Sequence, residues 1–334
     1  MLNKVLALSA LAASALAVPV QIPDTSSLDL VTLLNQTAGF GYLSEHVGQI
    51  PALAGALNNL TNITVLAPSD IALRLFPWDT RYYEEWELAS VDLLQAILGY
   101  HILDGIHSNL TTSFAPYKTA VKQSPWTTVP GGQVVMGRFD TRTFETAFIS
   151  GRGLLAQAPT FMKFKGGIIY PIDNVLNLPR GVAYELNNKA ANATSFLTVL
   201  GRSGLLDEVE SLDQVTIFAP NDEAFRQVEK AVYGLSKDDL AALLRYHIVP
   251  NQVTYSSGFN NGTTFKTLGD QDIILNKQRR NFIQNARVLG NDVLIKNGVV
   301  HVIDQVMNPK ITPKAQNATQ GDGEPAFPVG PGFF

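Results

Sequence analysis

The chain has five histidines, His46, His101, His107, His247 and His301, and no cysteine. The spacing His101-x-x-Asp104-x-x-His107 offers the imidazole and carboxylate groups that can hold a divalent metal or relay a proton. His101, however, continues the apolar stripe of Leu94, Ile97 and Leu98 at helical spacing. The pattern therefore predicts a buried, hydrogen-bonded His101 and an exposed His107. Gly151-Arg152-Gly153-Leu154-Leu155-Ala156 matches a loose dinucleotide fingerprint, but Pro159 interrupts the helix such a loop must open. Gly201-Arg202-Ser203-Gly204-Leu205 lacks the glycine that a nucleophile elbow requires at its end. Asp173 and Asp304 each follow an apolar run and read as turn or capping carboxylates, as do Asp70 and Asp222. The residues thus give no catalytic set, cofactor site or metal site.

One feature suits binding better than catalysis. Trp78, Trp86 and Trp126 all fall in the first half of the chain, with Tyr82 and Tyr83 beside the first two. Exposed, such rings could stack on sugars or anchor a protein partner; core packing is the alternative. Lys277-Gln278-Arg279-Arg280 is the one dense basic run and reads as a solvated loop.

The chain also repeats itself. Thr64-Val65-Leu66-Ala67-Pro68-Ser69-Asp70 returns as Thr216-Ile217-Phe218-Ala219-Pro220-Asn221-Asp222. Tyr100-His101-Ile102 returns as Tyr246-His247-Ile248, and the block 167–175 returns as 298–306. The order is the same, and the period is far longer than the roughly 20–50 residues of a solenoid. A whole domain is duplicated.

The elements follow from local pattern. Leu30-Val31-x-Leu33-Leu34 and Phe196-Leu197-x-Val199-Leu200 predict an opening helix in each unit. The Thr boxes predict buried strands that end at Pro68 and Pro220, followed by capped helices. The Tyr-His pairs sit at the ends of further helices, which Asp104-Gly105 and Pro250-Asn251 are expected to stop. Asn297-Gly298 between β-branched runs predicts a hairpin. Mixed helices and hairpins predict an α+β fold. The units are placed at 28–179 and 182–309. The first is longer, with extra residues expected at Pro51–Leu60 and at Thr111–Met162. Tyr170-Pro171 stands where the second unit has His301-Val302, which speaks against regular strand pairing there.

Composition bounds the class. With 46% hydrophobic residues, 334 residues suit two ordinary domains. Net charge is −4 and charged residues are 16%, so no nucleic-acid footprint exists. Residues 1–17 read as a signal peptide. Asn35, Asn59, Asn62, Asn109, Asn192, Asn261 and Asn317 open Asn-x-Thr sequons, which predicts N-glycosylation on exposed loops. Residues 310–334 read as a flexible Pro/Gly-rich tail without a lipid-anchor signal. No transmembrane segment is expected.

The repeated blocks resemble the fasciclin (FAS1, beta-Ig-H3) domain family. The resemblance implies two tandem FAS1-like domains, each a β-wedge or sandwich with packed helices, in a secreted fungal glycoprotein. It also implies that Pro68, Asp70, Tyr100, His101, Pro220, Asp222, Tyr246, His247, His301 and Asp304 are family motif positions, read here as structural. Family members are mostly adhesion and matrix proteins. The expectation is a non-enzymatic protein without cofactor, binding surface or matrix proteins or glycans at the cell surface or wall. A vacuolar lumenal protein supporting membrane fusion or degradation traffic is the alternative, and a hydrolase with an unrecognised site in 111–162 the third reading.

Overall fold

The computed structural model describes residues 24–48, 51–76, 91–277 and 279–310. The segment 1–17 read as a signal peptide, Trp78, Trp86, Asn317 and the segment from 311 lie outside the described residues, as does the side chain of His46.

The fold is α+β. In the first unit the strands are β1 (Ile63–Pro68), β2 (Ile102–Asp104), β3 (Ala115–Lys118), β4 (Val134–Asp140), β5 (Glu145–Ile149), β6 (Leu155–Ala158), β7 (Met162–Phe164) and β8 (Gly167–Ile172). In the second they are β9 (Val215–Pro220), β10 (Ile248–Pro250), β11 (Thr264–Lys266), β12 (Asp272–Lys277), β13 (Asn281–Ile283), β14 (Ala286–Ile295) and β15 (Gly298–Ile303). β1 and β9 are buried at every position and are flanked identically. Each pairs in parallel with the closing strand, β8 or β15, and antiparallel with the short strand after the Tyr-His pair. The helices before those short strands end at Tyr100 and Arg245. They therefore stop earlier than the turn residues implied, because Ile102–Asp104 and Ile248–Pro250 are already strands.

The second unit forms one seven-stranded sheet, β10-β9-β15-β14-β13-β12-β11. The first unit divides the same plan into two four-stranded sheets, β2-β1-β8-β7 and β3-β4-β5-β6. The break has a local cause. β14 runs unbroken through bulges along β15, whereas Pro159 lies between β6 and β7 and cannot donate to a ladder.

Pro171 does not disturb the closing strand. β8 stays in register with β1 through Pro171↔Ala67 and Ile172↔Pro68. On its other side β7 has already ended, pairing only as far as Ile169, so no ladder bond is demanded from the missing N–H. Gly167 and Gly298 open the closing strands for steric reasons. A Cβ there would be driven into the carbonyl of Ile63 or Val215.

The opening helices need realignment. Asp70 accepts the N–H groups of Gly41 (3.2 Å) and Tyr42 (2.8 Å), at the start of helix Gly41–Gly48. Asp222 accepts the N–H of Ser195 (2.6 Å) and the hydroxyl of Thr194 (3.0 Å), at the start of helix Thr194–Ser203. The backbone N–H groups of Asp70 and Asp222 reach Gly39 and Asn192, both at positive φ. The counterpart of Thr194–Ser203 is thus Gly41–Gly48, not Leu30–Gln36. With that register Pro51–Leu60 is no insertion, since the stretch from 41 to 64 exceeds that from 194 to 216 by one residue. Ser69 and Asn221 cap the helices that follow them, accepting from Ala72 and Ala224. The aspartates cap a neighbour.

Candidate functional site

The two Tyr-His pairs hold equivalent places. His101 and His247 are buried. Each ring Nδ1 faces the carbonyl four residues back, Ile97 at 2.8 Å and Leu243 at 2.9 Å. Each Nε2 accepts a backbone N–H beyond the closing strand, from Leu176 at 3.0 Å and Met307 at 2.9 Å. This fixes the neutral tautomer with hydrogen on Nδ1. Burial pulls both imidazoles down to about 4. Tyr100 donates to the carbonyl of Val134 at 2.9 Å, and Tyr246 accepts from Gln284 at 2.8 Å. Both rings are buried.

The other repeated side chains are spent in the same way. Asp173 and Asp304 accept the N–H of Gln157 and Arg287, each at 2.7 Å, and so tie the closing strand to the strand beside it. His301 Nε2 meets the carbonyl of Thr254 at 2.9 Å, and Tyr170 donates to that of His107 at 2.9 Å. The Tyr-for-His exchange therefore keeps the bond. It also matches His107 to Thr254. His107 Nε2 contacts the backbone carbonyl of Asp104 at 2.7 Å, so His101, Asp104 and His107 do not converge. Among the described residues no group of three or more His, Asp or Glu could hold a metal. Asn35, Asn59, Asn62, Asn109, Asn192 and Asn261 are all exposed.

What the second unit lacks is a loop. Thr119 bonds the carbonyl of Gln133 through its N–H (2.8 Å) and hydroxyl (2.9 Å); Thr267 bonds Gln271 in the same way at 2.9 and 2.8 Å. Between these matched anchors the first unit is ten residues longer, 119 to 133 against 267 to 271. The rest of Thr111–Met162 is largely the counterpart of β11–β14, not padding.

This loop has two jobs. One side clasps the second unit. Thr127 and Thr128 bond the carbonyl of Lys296 at 3.0 and 3.3 Å, and the Thr128 hydroxyl bonds that of Asp213 at 2.6 Å. Buried Gln133 reaches the carbonyl of Ile295 at 3.1 Å. The other side forms a cleft of about 490 Å³ against helix Val91–Tyr100. Trp126 is its half-buried aromatic wall, resting on the core, and Asp92, Gln95, Lys122 and Ser124 supply polar groups. An apolar ring edged by amide, hydroxyl and charged groups can stack on a flat ligand and hydrogen-bond its rim. Lys122 and Asp104 form an exposed ion pair at 2.9 Å, worth little by itself. The aromatic signal was legible in the sequence. The clasp was not, because ordinary threonines make it through backbone carbonyls.

The units also meet at Glu185, which is fully buried. Its carboxylate accepts the N–H of Arg152 from the first unit and that of Arg180 (2.9 Å) from the connection. Desolvation dominates and raises the carboxyl to about 7. Gly151–Gly153, the loose dinucleotide match, is the turn that meets Glu185 on helix Val182–Leu186; Arg152 sits at φ 60.

A fasciclin domain model matches residues 191–309. The chain is 30% identical over 290 residues to the fasciclin-like arabinogalactan protein elcF of Phaeosphaeria nodorum, covering 85% of this chain and 89% of that one. It is 29% identical over 273 residues to a fasciclin-like arabinogalactan protein of Arthroderma benhamiae, of which it spans 63%. A FAS1 domain pair from the insect cell adhesion molecule Fasciclin I covers 81% of this chain and 97% of its own at 18% identity. Its TM-score of 0.39 is too low to relate the two domain arrangements. No helix among the described residues is long and apolar enough to cross a membrane.

Proposed function

The chain belongs to the fasciclin family, and from that premise we propose that it is a secreted, cell-wall-associated binding protein that works without catalysis. Units 28–179 and 182–309 form a two-domain body, behind a signal peptide at 1–17 and with N-glycans on the exposed sequons. The observation that carries this reading is the division of labour between shared and unshared residues. Tyr100, His101, Tyr246 and His247 are buried and hydrogen-bonded within the fold, which leaves none of them for turnover. The loop that only the first unit has supplies an aromatic, polar cleft.

The cleft around Trp126 suits a saccharide ring better than a flat protein surface, because one indole is framed by small polar groups. Two units in one chain add avidity when the target is repetitive. The test is co-sedimentation of the purified full-length chain with isolated fungal cell walls, before and after protease treatment of the walls. Retention on both preparations supports a glycan target, and retention lost on protease treatment points to a protein partner. Absence from both rejects the reading, as does a fluorescent fusion confined to the vacuole.

A further inference from the structure

A second cleft, of about 590 Å³, lies between the units. The first unit contributes an apolar wall, Phe114 with Met136 and Ile149. The second contributes Ser257, Lys277, Asn281 and Asp292. Asp292 is buried at positive φ in the bulged part of β14. Its charge is turned inward: one oxygen accepts the N–H of Ser256 at 2.7 Å and the other its hydroxyl. Beside it the Tyr255 hydroxyl is buried without a hydrogen-bond partner, a cost that native interiors seldom leave unpaid.

Lys277 brings a cation to the lining of the cleft. Lys277 is exposed and gives one hydrogen to the carbonyl of Phe259 at 2.9 Å, which leaves two donors of the ammonium group. Arg279 and Arg280, just beyond it in the chain, are exposed. The Arg138 guanidinium lies 4.8 Å over Phe114, although it is also paired with Asp140 at 3.1 Å. The first residue of the basic run that reads as a solvated loop in sequence, Lys277, therefore lines a hydroxyl-rich cleft with an apolar wall.

We propose that this interdomain cleft binds an acidic oligosaccharide, with a uronate carboxylate on Lys277, ring hydroxyls on Asn281 and Ser257, and the apolar ring face toward Phe114. The assignment deepens the binding function above and rests on it, but it uses a different site from the Trp126 cleft.

The test is calorimetric titration of the full-length chain with trigalacturonate at about 20 mM salt, where screening is weak. The expected result is saturable binding, weakened about tenfold or more, or roughly 1.4 kcal/mol, by Lys277→Met. Raising salt to about 500 mM weakens it similarly. Lys230→Met, which removes an exposed cation outside the cleft, leaves it unchanged. Neutral maltotriose binds far more weakly. Equal binding by Lys277→Met, equal affinity for maltotriose, or no binding of trigalacturonate at about 10 mM, weaker than any useful affinity, overturns the proposal. Wall retention that persists without trigalacturonate binding overturns the cleft assignment alone.

Discussion

His247 Nε2 accepts the backbone N–H of Met307 at 2.9 Å, joining the end of helix Lys237–Arg245 to the chain beyond the closing strand. The first unit repeats the bond between His101 and Leu176. Removing the imidazole leaves a buried donor unmet and opens a void. His247→Ala should cost about 2–4 kcal/mol, read as a lower midpoint in urea unfolding. A variant as stable as the parent would show that the histidine is not structural.

The pH dependence of stability has two opposed parts. His101 and His247 titrate at about 4 in the fold against 6.5 in the open chain. Their contribution is present above about 6.5 and is lost as pH falls toward 4, on the order of 3 kcal/mol each. Glu185 is raised from 4.5 to about 7, so its contribution is full below about 4.5 and is lost as pH rises through 7. Two histidines outweigh one glutamate, and stability should fall on acidification between pH 6.5 and 4.5. Glu185→Gln should make that fall steeper, because the opposing term is gone. A pH profile of unfolding free energy unchanged by the substitution would refute the assignment.

The closing glycines should be intolerant. Gly298→Ala drives a methyl group into the carbonyl of Val215, in an interior strand pair of the sheet. The backbone on both sides is fixed, so a loss above about 3 kcal/mol is expected. The readout is secreted yield together with melting temperature. Gly201→Ala, on an open helix face, serves as the tolerated control.

The unit-to-unit clasp has its own test. Thr128→Val removes the hydroxyl bond to Asp213, and Gln133→Leu removes the bond to Ile295. Together they should leave each unit folded while speeding proteolytic cleavage near 179–181 and widening the solution scattering profile. Unaltered scattering would mean that the units are held elsewhere, as at Glu185.

Much of this fold could be read from the sequence because it is written twice. Strand, cap and closing box each recur with their apolar pattern, and two independent copies of Thr-x-x-Ala-Pro leave little ambiguity. The opening helices could not be aligned that way. Leu30–Leu34 and Phe196–Leu200 carry the same helical spacing, yet the true partners are identified by which helix start Asp70 and Asp222 reach across the fold. Periodicity cannot report such a long-range cap. The loop was visible as Pro, Gly and Trp, but its ends were not, since they are marked only by the bonds of Thr119 and Thr267. Glu185 gave no signal, as a single acidic residue on a short helix is usually solvated.

The central claim is that shared residues build the fold while the unshared loop binds. Trp126→Ala is the direct measurement, made on a variant whose circular dichroism and melting curve match the parent. The account predicts wall retention reduced by about tenfold, the 1–2 kcal/mol typical of a stacked aromatic, with His247→Gln losing stability but not retention at temperatures where it stays folded. Undiminished retention by Trp126→Ala, alongside retention abolished in a folded His247 variant, would contradict it.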